Sequence, residues 1–340
     1  MKAVRFHEHG GLDVLRYEDA PDPVISSTEV LVRVKACALN HLDIHLRRGV
    51  RKMSLPHIVG ADVAGEIAAA GAEVRNWKAG QKVLLQPGVS CGVCPACLSG
   101  DDNLCRQYAV LGSAGDGGYA ELVKVPEANV MPYPEGLSWE QAAAVPLVFL
   151  TAWHMLLNRA RMRAGDTVLV IGAGSGVGSA AIQIVKLFHG RVITVAGSDA
   201  KLAKARELGA DETINHATQD ITAEVKRITG KRGVDVVFEH VGQATWNHSY
   251  MSLATGGRLV TCGVTSGYEA SIDLRYLFSK NLSLIGSFMG RKDELIELME
   301  FVKQGKLKPV VDRVFPLAEA RAAQEHIEKR EQFGKVVLQC

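Results

Sequence analysis

Between Asp166 and Lys201 the chain reads DTVLVIGAGSGVGSAAIQIVKLFHGRVITVAGSDAK, and this stretch restricts the fold more than any other. Residues 168–171 are an unbroken apolar run, mostly β-branched, as a strand buried on both faces requires. Gly172, Gly174, Gly176 and Gly178 follow at once. Val177, Ala181, Ile184, Val185 and Phe188 then share one face at helical spacing. Residues 191–196 form a second buried-strand run. Strand, glycine turn, helix and strand make one βαβ unit. Its strands pair in parallel through a right-handed crossover, so the surrounding domain is a layered α/β fold.

The turn also has a chemistry. Glycine admits positive φ and lets backbone approach a ligand with no Cβ in the way. A helix beginning near Ser175 aims free N–H groups and the positive end of its dipole at whatever sits over the turn. Gly174, Ser175, Gly176, Val177 and Gly178 are therefore candidate contacts to a dinucleotide pyrophosphate. A purely structural turn is the alternative, and the flanking strand and amphipathic helix favour the dinucleotide. An NAD site usually ends its second strand on Asp or Glu, which bonds the ribose 2′-OH. Here that strand ends Val195-Ala196-Gly197-Ser198, and the acidic position is vacant. Ser198 as a donor, with Lys201 and Arg206 as positive charge, points to NADP(H). Ordinary solvated helix residues are the other reading of Lys201 and Arg206.

At 340 residues the chain suggests two domains. A formal net charge of +2 argues against a nucleic-acid surface, which needs a clustered basic stripe. The beginning, MKAVRFHEHG, carries no apolar signal core. The most apolar segment, residues 142–157, contains Pro146 and His154 and reads as too short to span a bilayer. A cytoplasmic protein with small-molecule partners is expected, with neither membrane nor nucleic acid among them. Its seven cysteines are then thiols or metal ligands rather than disulfides.

Up to about residue 125 the chain reads as mostly β, with strand candidates at 1–6, 29–36, 65–70, 82–85 and 119–124. Frequent glycine and proline between them suggest a compact barrel-like domain. Residues 137–158 change to a helical pattern, with Ser138 as N-cap. The βα repeat follows, with strand candidates at 168–171, 192–196, 234–239, 258–263 and 282–286. A helix at 293–305 and a last strand at 334–339, able to return to the first domain, complete the pattern.

Cys91, Cys94, Cys97 and Cys105 form C-x2-C-x2-C-x7-C in a loop rich in glycine and proline. Thiolates so spaced can reach one tetrahedral zinc, and four of them leave no open position, so the ion would be structural. An iron–sulfur cluster, two disulfides or free thiols are the alternatives. Cys37, Cys262 and Cys340 read as small buried hydrophobes.

The β-rich first part, the cysteine lobe, the run Val145-Pro146-Leu147…Leu150-Thr151-Ala152-Trp153, the βαβ unit and Phe333-Gly334-Lys335-Val336-Val337 occur in that order. This resembles the medium-chain dehydrogenase/reductase superfamily, the zinc-type alcohol dehydrogenases and quinone oxidoreductases, over nearly the whole chain. The resemblance implies a Rossmann doubly wound parallel sheet inserted in a GroES-like β-barrel catalytic domain, with the active site in the cleft between them. It assigns residues 1–125 and 295–340 to the GroES-like domain, with a zinc lobe at about 88–107, and 126–294 to the NADP-binding domain. Homodimers or homotetramers are expected.

The departures from the family carry the mechanism. Zinc alcohol dehydrogenases take catalytic-zinc ligands from a C-x-x-D segment and a G-H-E segment. Here these are Asn40-His41-Leu42-Asp43 and Gly60-Ala61-Asp62, with Asn and Ala at the ligand positions. A catalytic zinc needs three protein ligands, so none is expected. Asn40 instead resembles the quinone and enoyl reductase branch, where it would contact the nicotinamide. That branch's Tyr is also missing, since Arg51 stands near its place. His41 and His45, one helical turn apart, are candidate proton donors. With Asp43 and His57 they could also form a relay or an unusual metal site. By position in the family, Thr151, His216, Gly263, Val264 and Ser287 would contact cofactor. The substrate would be lined by residues 50–55, Phe149 and Phe288. The expected activity is hydride transfer between NADP(H) and a carbonyl, quinone or activated alkene. Its rivals are an alcohol dehydrogenase with an unusual catalytic metal and a noncatalytic NADPH-binding protein.

Overall fold

The computed structural model describes all 340 residues. They divide into two compact units, Met1–Leu147 with Arg291–Lys303 and Pro309–Cys340, and Val148–Gly290 with Gln304–Lys308.

The first unit is built on a seven-stranded sheet. Six strands run in the order Val311–Pro316, Lys335–Gln339, Glu29–Ala38, Asp62–Ala70, Lys82–Leu85, Val130–Pro132, and Leu122–Pro126 also pairs with Glu29–Ala38. Along Glu29–Ala38, Val30, Val32 and Val34 point into the core, which is the alternation that marked this strand in the sequence. The last strand does return to this sheet. It runs antiparallel to Glu29–Ala38, with Val337 opposite Ala38 and Leu338 opposite Cys37. Gly334 makes the approach possible. Its φ is +99°, and a Cβ there would stand 2.4 Å from the Val310 carbonyl.

Both expected domain boundaries shift. The first unit continues past residue 125 because Val130–Pro132 pairs with Lys82–Leu85. It resumes at Arg291, ahead of the expected 295, so the helix Lys292–Lys303 lies wholly inside it. Residues 304–308 belong to the second unit, where Lys308 N–H donates to Gln183 Oε1 at 2.8 Å. The single helix expected at 137–158 is three pieces, Trp139–Ala143, Pro146–Trp153 and a π-helical His154–Arg159. Pro146 has no N–H to continue the first piece and starts the second. Ser138 caps the first piece, accepting from Gln141 N at 3.3 Å. Together they reach a length and apolarity that could cross a bilayer, contrary to the short segment expected, but most of that window is buried as a core helix would be.

The second unit holds six parallel strands in the order Glu212–Asn215, Arg191–Ala196, Thr167–Ile171, Val234–Glu239, Leu253–Thr261, Ser283–Gly286. Leu169, Ile171, Ile193, Val195, Val237 and Leu259 form its core. Chain order reverses between Thr167–Ile171 and Val234–Glu239, and such a switch opens a crevice at the carboxyl ends of the strands. The glycine turn lies at that point. Glu212–Asn215 escaped the sequence reading because only Ile214 of its four residues is fully buried.

Candidate cofactor cradle, polar cluster and metal lobe

In the second unit the turn after Thr167–Ile171 is built for close approach. Gly172 has φ +72°, and a Cβ on Gly178 would stand 2.2 Å from the Gly172 carbonyl. Ser175 caps the helix Gly176–Leu187. Its Oγ accepts from Gly178 N–H at 2.9 Å while its hydroxyl donates to Gly172 O at 2.9 Å. The cap leaves the N–H groups of Gly176 and Val177 as the first-turn donors for an anion. His240, which the sequence reading passed over, supports the turn from below. Its Nε2–H donates to Ile171 O at 2.8 Å and lies 3.2 Å from Ser175 Oγ. Burial pushes its imidazole below the usual histidine range, so it is neutral at pH 7. The strand-end residues Val241-Gly242 were its only sequence signal. Gly263 packs against it too, since a Cβ there would stand 2.6 Å from His240 O.

Of the other expected cofactor contacts in this unit, Ser198, His216, Gly263, Val264 and Ser287 follow the carboxyl ends of parallel strands, whereas Thr151 lies in the helix Pro146–Trp153. Ser198 follows Arg191–Ala196 and caps the next helix, accepting from Lys201 N–H at 3.4 Å. His216 follows Glu212–Asn215, and its Nε2 would stand 3.1 Å from a Cβ on Gly197. Val264 is half exposed after Leu253–Thr261. Thr151 Oγ1 and Ser287 Oγ are out of solvent contact and have no protein partner. A buried unpaired hydroxyl costs roughly 1–3 kcal/mol, so each is left able to serve a polar ligand group such as a nicotinamide. The second strand ends at Ala196 without a carboxylate, and the nearest acid opens the helix that follows. That acid is Asp199, and its Oδ1 accepts from Asn215 Nδ2 at 2.8 Å. An acid is therefore close by, tethered to the neighbouring strand.

In the first unit Asn40, at one expected metal-ligand position, and Asp62, next to Ala61 at the other, belong to a buried polar cluster. Lys335, only 4% exposed, donates from Nζ to Asn40 Oδ1 at 2.6 Å and to Asp62 Oδ2 at 2.9 Å. Asn40 Nδ2 donates to the same Asp62 oxygen at 2.9 Å and to Ala38 O at 3.4 Å. Asp62 Oδ1 accepts from Leu147 N–H at 2.8 Å. Asp43 Oδ2 accepts from Asn40 N–H at 2.8 Å and from the Tyr119 hydroxyl at 3.0 Å. Burial raises the Asp43 carboxyl to about 6, against the opposing pull of the Asn40 N–H, the Lys335 charge and the Tyr119 hydroxyl. Burial, aided by the Asp43 charge, also pushes the Tyr119 hydroxyl and the Cys37 thiol well up. Asn40 thus spends its side chain inside the cluster. Lys335, Asp62 and Tyr119 were missed as members.

The histidines do not complete a metal site. His41 and His45 share the helix His41–Arg47, and burial lowers the His45 imidazole. His57 is committed elsewhere, donating from Nε2 to Gly112 O at 2.9 Å with Nδ1 turned to Asp116. Asp43 serves Asn40 and Tyr119, not a histidine. The donor set for a catalytic zinc does not fit either, because Ala61 offers no ligand atom and an ammonium already sits on Asn40 and Asp62.

The cysteine lobe does fit an ion. The sulfur atoms of Cys91, Cys94, Cys97 and Cys105 all lie within 4.8 Å of one another. The pairs Cys94–Cys97 and Cys91–Cys105 are 3.6 Å apart and Cys91–Cys97 is 3.9 Å apart. Tetrahedral zinc with sulfur at about 2.3 Å requires sulfur–sulfur spacings of about 3.8 Å. Backbone N–H groups of Val93 and Cys94 hold the Cys91 thiol down at about 6, while, against the Cys97 N–H, burial and hydrogen bonds to the neighbouring sulfurs push Cys94 up to about 11, so Cys91 is the readiest thiolate of the set. Gln107 N–H donates to Cys105 Sγ at 3.4 Å.

Known proteins share this plan. The family described as "Alcohol dehydrogenase GroES-like domain" matches residues 26–135, and "Zinc-binding dehydrogenase" matches 176–304. A NAD-dependent alcohol dehydrogenase of Sulfolobus acidocaldarius is 34% identical, with 99% of both chains covered. The quinone oxidoreductase of Rattus norvegicus is 32% identical over 99% of this chain and 97% of its own. A solved NAD-dependent alcohol dehydrogenase is 48% identical, superimposes with a TM-score of 0.97 and is covered completely, as is this chain.

Proposed function

The chain belongs to the medium-chain dehydrogenase/reductase family, and we propose that within it this protein is a cytoplasmic, NADP(H)-dependent reductase with a structural zinc and no catalytic metal. Its substrate is a carbonyl, quinone or activated alkene. The observation that carries this reading is the pair of side chains at the positions where metal-dependent relatives place ligands: Asn40, whose amide is spent on Lys335, Asp62 and Ala38 O, and Ala61, which has no ligand atom.

The nicotinamide, when bound, supplies or accepts the hydride. The protein's own part is to hold, orient and exclude water. The N–H groups at the start of Gly176–Leu187 hold the pyrophosphate. Ser198, Lys201 and His216 receive the 2′-phosphate, while Asn215 keeps the Asp199 carboxylate engaged. Thr151 and Ser287 give their unpaired hydroxyls to the nicotinamide end. Asn40 lines the reacting side in the first unit, and His41 or His45 delivers the proton. Cys91, Cys94, Cys97 and Cys105 hold the zinc. Assembly is as a homodimer or homotetramer.

Asp199 favours a second reading, NAD, which is also the cofactor printed in the names of several relatives. Fluorescence titration with both cofactors separates the two. NADPH is expected to bind at least tenfold more tightly than NADH, and Lys201→Ala to erase most of that difference. Tighter NADH binding would defeat the NADP assignment. Metal analysis should return one zinc per chain. A second zinc with chelator-sensitive turnover would restore the alcohol dehydrogenase rival. Tight NADPH binding without turnover of any quinone, enal or aldehyde would favour a noncatalytic protein.

A further inference from the structure

We propose that Arg47, Gln324 and Tyr119 enclose a buried water site, and that the water completes a proton path from Glu328 at the surface of the first unit to the Asp43 carboxyl beside Asn40. Neither the water nor the path depends on which cofactor or substrate the protein takes.

The helix His41–Arg47 ends in a guanidinium with no exposure to solvent. Its Nη2 donates to Glu328, whose carboxylate also accepts from Arg48 Nη2 at 2.9 Å. Arg47 Nε and Nη1 are buried and have no protein partner. Gln324 stands four residues before Glu328 on the helix Ala320–Glu328, so the two share a face. It too is fully buried, and neither its amide nitrogen nor its amide oxygen has a protein partner. Burial and the Asp43 charge push the Tyr119 hydroxyl up, while the Gln324 amide pulls it back. Burial pulls the Arg47 guanidinium down, while Glu328 and the Tyr119 hydroxyl pull it up. Each side chain is close enough to act on the next, so the three lie together.

An unpaired buried polar atom costs roughly 1–3 kcal/mol, more where the group is charged. Buried polar groups that lack a protein partner take water. A small anion is the other ligand that a guanidinium attracts. It does not fit here, because Glu328 already neutralises Arg47, Asp43 stands just beyond Tyr119, and Gln324 Oε1 needs a donor. Water both gives and accepts, as this mixed set requires. The Tyr119 hydroxyl donates to Asp43 Oδ2 at 3.0 Å, and Glu328, 20% exposed, marks the wet end. A proton reaching the water from solvent passes to the Tyr119 oxygen as the Tyr119 proton passes to Asp43. One O–H bond forms and one breaks at the tyrosine, which ends neutral. The other groups facing Asp43 offer no such entry: the Asn40 N–H is backbone, and Cys37, Asp62 and Lys335 are themselves buried.

The test uses the full-length, zinc-loaded protein and two variants, Gln324→Met and Tyr119→Phe. A crystal structure that resolves ordered solvent should show water within hydrogen-bonding distance of both Arg47 and Gln324 in wild type. The same water should persist in Tyr119→Phe and be gone from Gln324→Met. Exchange of the Asp43 carboxyl proton is followed by the infrared shift of its C=O band on mixing into D2O at pH 5, where the group is mostly protonated. The band is identified by its absence in Asp43→Asn. Both variants should exchange at least tenfold more slowly than wild type. A direct Arg47–Gln324 hydrogen bond with no water between them, or an ion in its place, overturns the water site. Exchange less than tenfold slower in either variant overturns the path. If Gln324→Met does not fold, the wild-type structure and Tyr119→Phe still decide both. Turnover enters none of these readouts, so a failure of the proposed reductase activity leaves them intact.

Discussion

Asp43 has the most testable chemistry of any single residue here. Its carboxyl titrates at about 6 against an ordinary 3.8, because burial disfavours its charge more than two hydrogen bonds and Lys335 favour it. A raised folded-state value means that the native protein binds this proton more tightly than the unfolded chain. Stability from this group is therefore complete below pH 3.8, declines between about 4 and 6, and levels off above, at a cost of about 3 kcal/mol. Asp43→Asn keeps one oxygen able to accept from both Asn40 N–H and Tyr119, and loses the titration. Denaturant unfolding from pH 4 to 7 should find wild type losing ground steadily to the variant. A carbon NMR titration of the Asp43 carboxyl with a midpoint below 4.5 would rule this out. None of the Asp43 setting was legible in the sequence beyond its place near Asn40. Its partner Tyr119 is 76 residues away, and Lys335 far beyond that. Local patterns can rank residue types, but they cannot say which distant strand delivers the partner. His57 shows the converse, since its nearness in sequence to the helical histidines suggested a cluster that Gly112 O and Asp116 draw it away from.

At the scale of elements the sequence was more readable, because glycine spacing and cysteine spacing are local geometry. The strand–turn–helix around Gly172–Gly178 and the lobe of four cysteines stand where they were expected, while the short strand Glu212–Asn215, too polar to stand out, did not. In the turn, Gly178→Ala places a methyl 2.2 Å from the Gly172 carbonyl, and the backbone that receives the pyrophosphate must move. Cofactor affinity should fall at least a hundredfold while the melting temperature of the cofactor-free protein changes by only a few degrees; affinity within threefold of wild type would show that the turn does not hold the dinucleotide. The lobe would depend on a metal for a different reason. Its helix Pro95–Leu98 buries no residue, and Val93, Leu98 and Leu104 are all exposed, so little apolar packing holds it. Cys94→Ser or prolonged chelation should release the zinc and raise hydrogen exchange across residues 91–105. Turnover should fall far less than zinc content. Unchanged exchange after complete zinc loss would mean that the loop is held by something other than the ion.

For the whole molecule, the arrangement that positions the chemistry also leaves an unfinished edge. The first unit draws on both ends of the chain, which is why the strand Lys335–Gln339 can bring a lysine to a site laid down by residues 40–62. The six-stranded sheet of the second unit has no such closing strand. Ser283–Gly286 is its outer strand on one side, with Ser283 and Gly286 exposed and Leu284 and Ile285 half-buried. Beside it in sequence, Tyr268, Leu274, Phe278 and Phe288 are each more than 60% exposed, or close to it. An apolar edge strand invites another strand, and soluble proteins cover or charge such edges. The symmetrical way to cover this one is a second copy presenting the same edge, an isologous contact that closes after two chains. Light scattering behind size exclusion should therefore give twice the 36.6 kDa chain mass. Replacing Leu274 and Phe278 together by lysine should shift the protein to a monomer that still binds NADPH, because neither residue lies at the glycine turn. If the doubly substituted protein remains a dimer of unchanged affinity, the contact is made by another surface and this edge is covered in some other way.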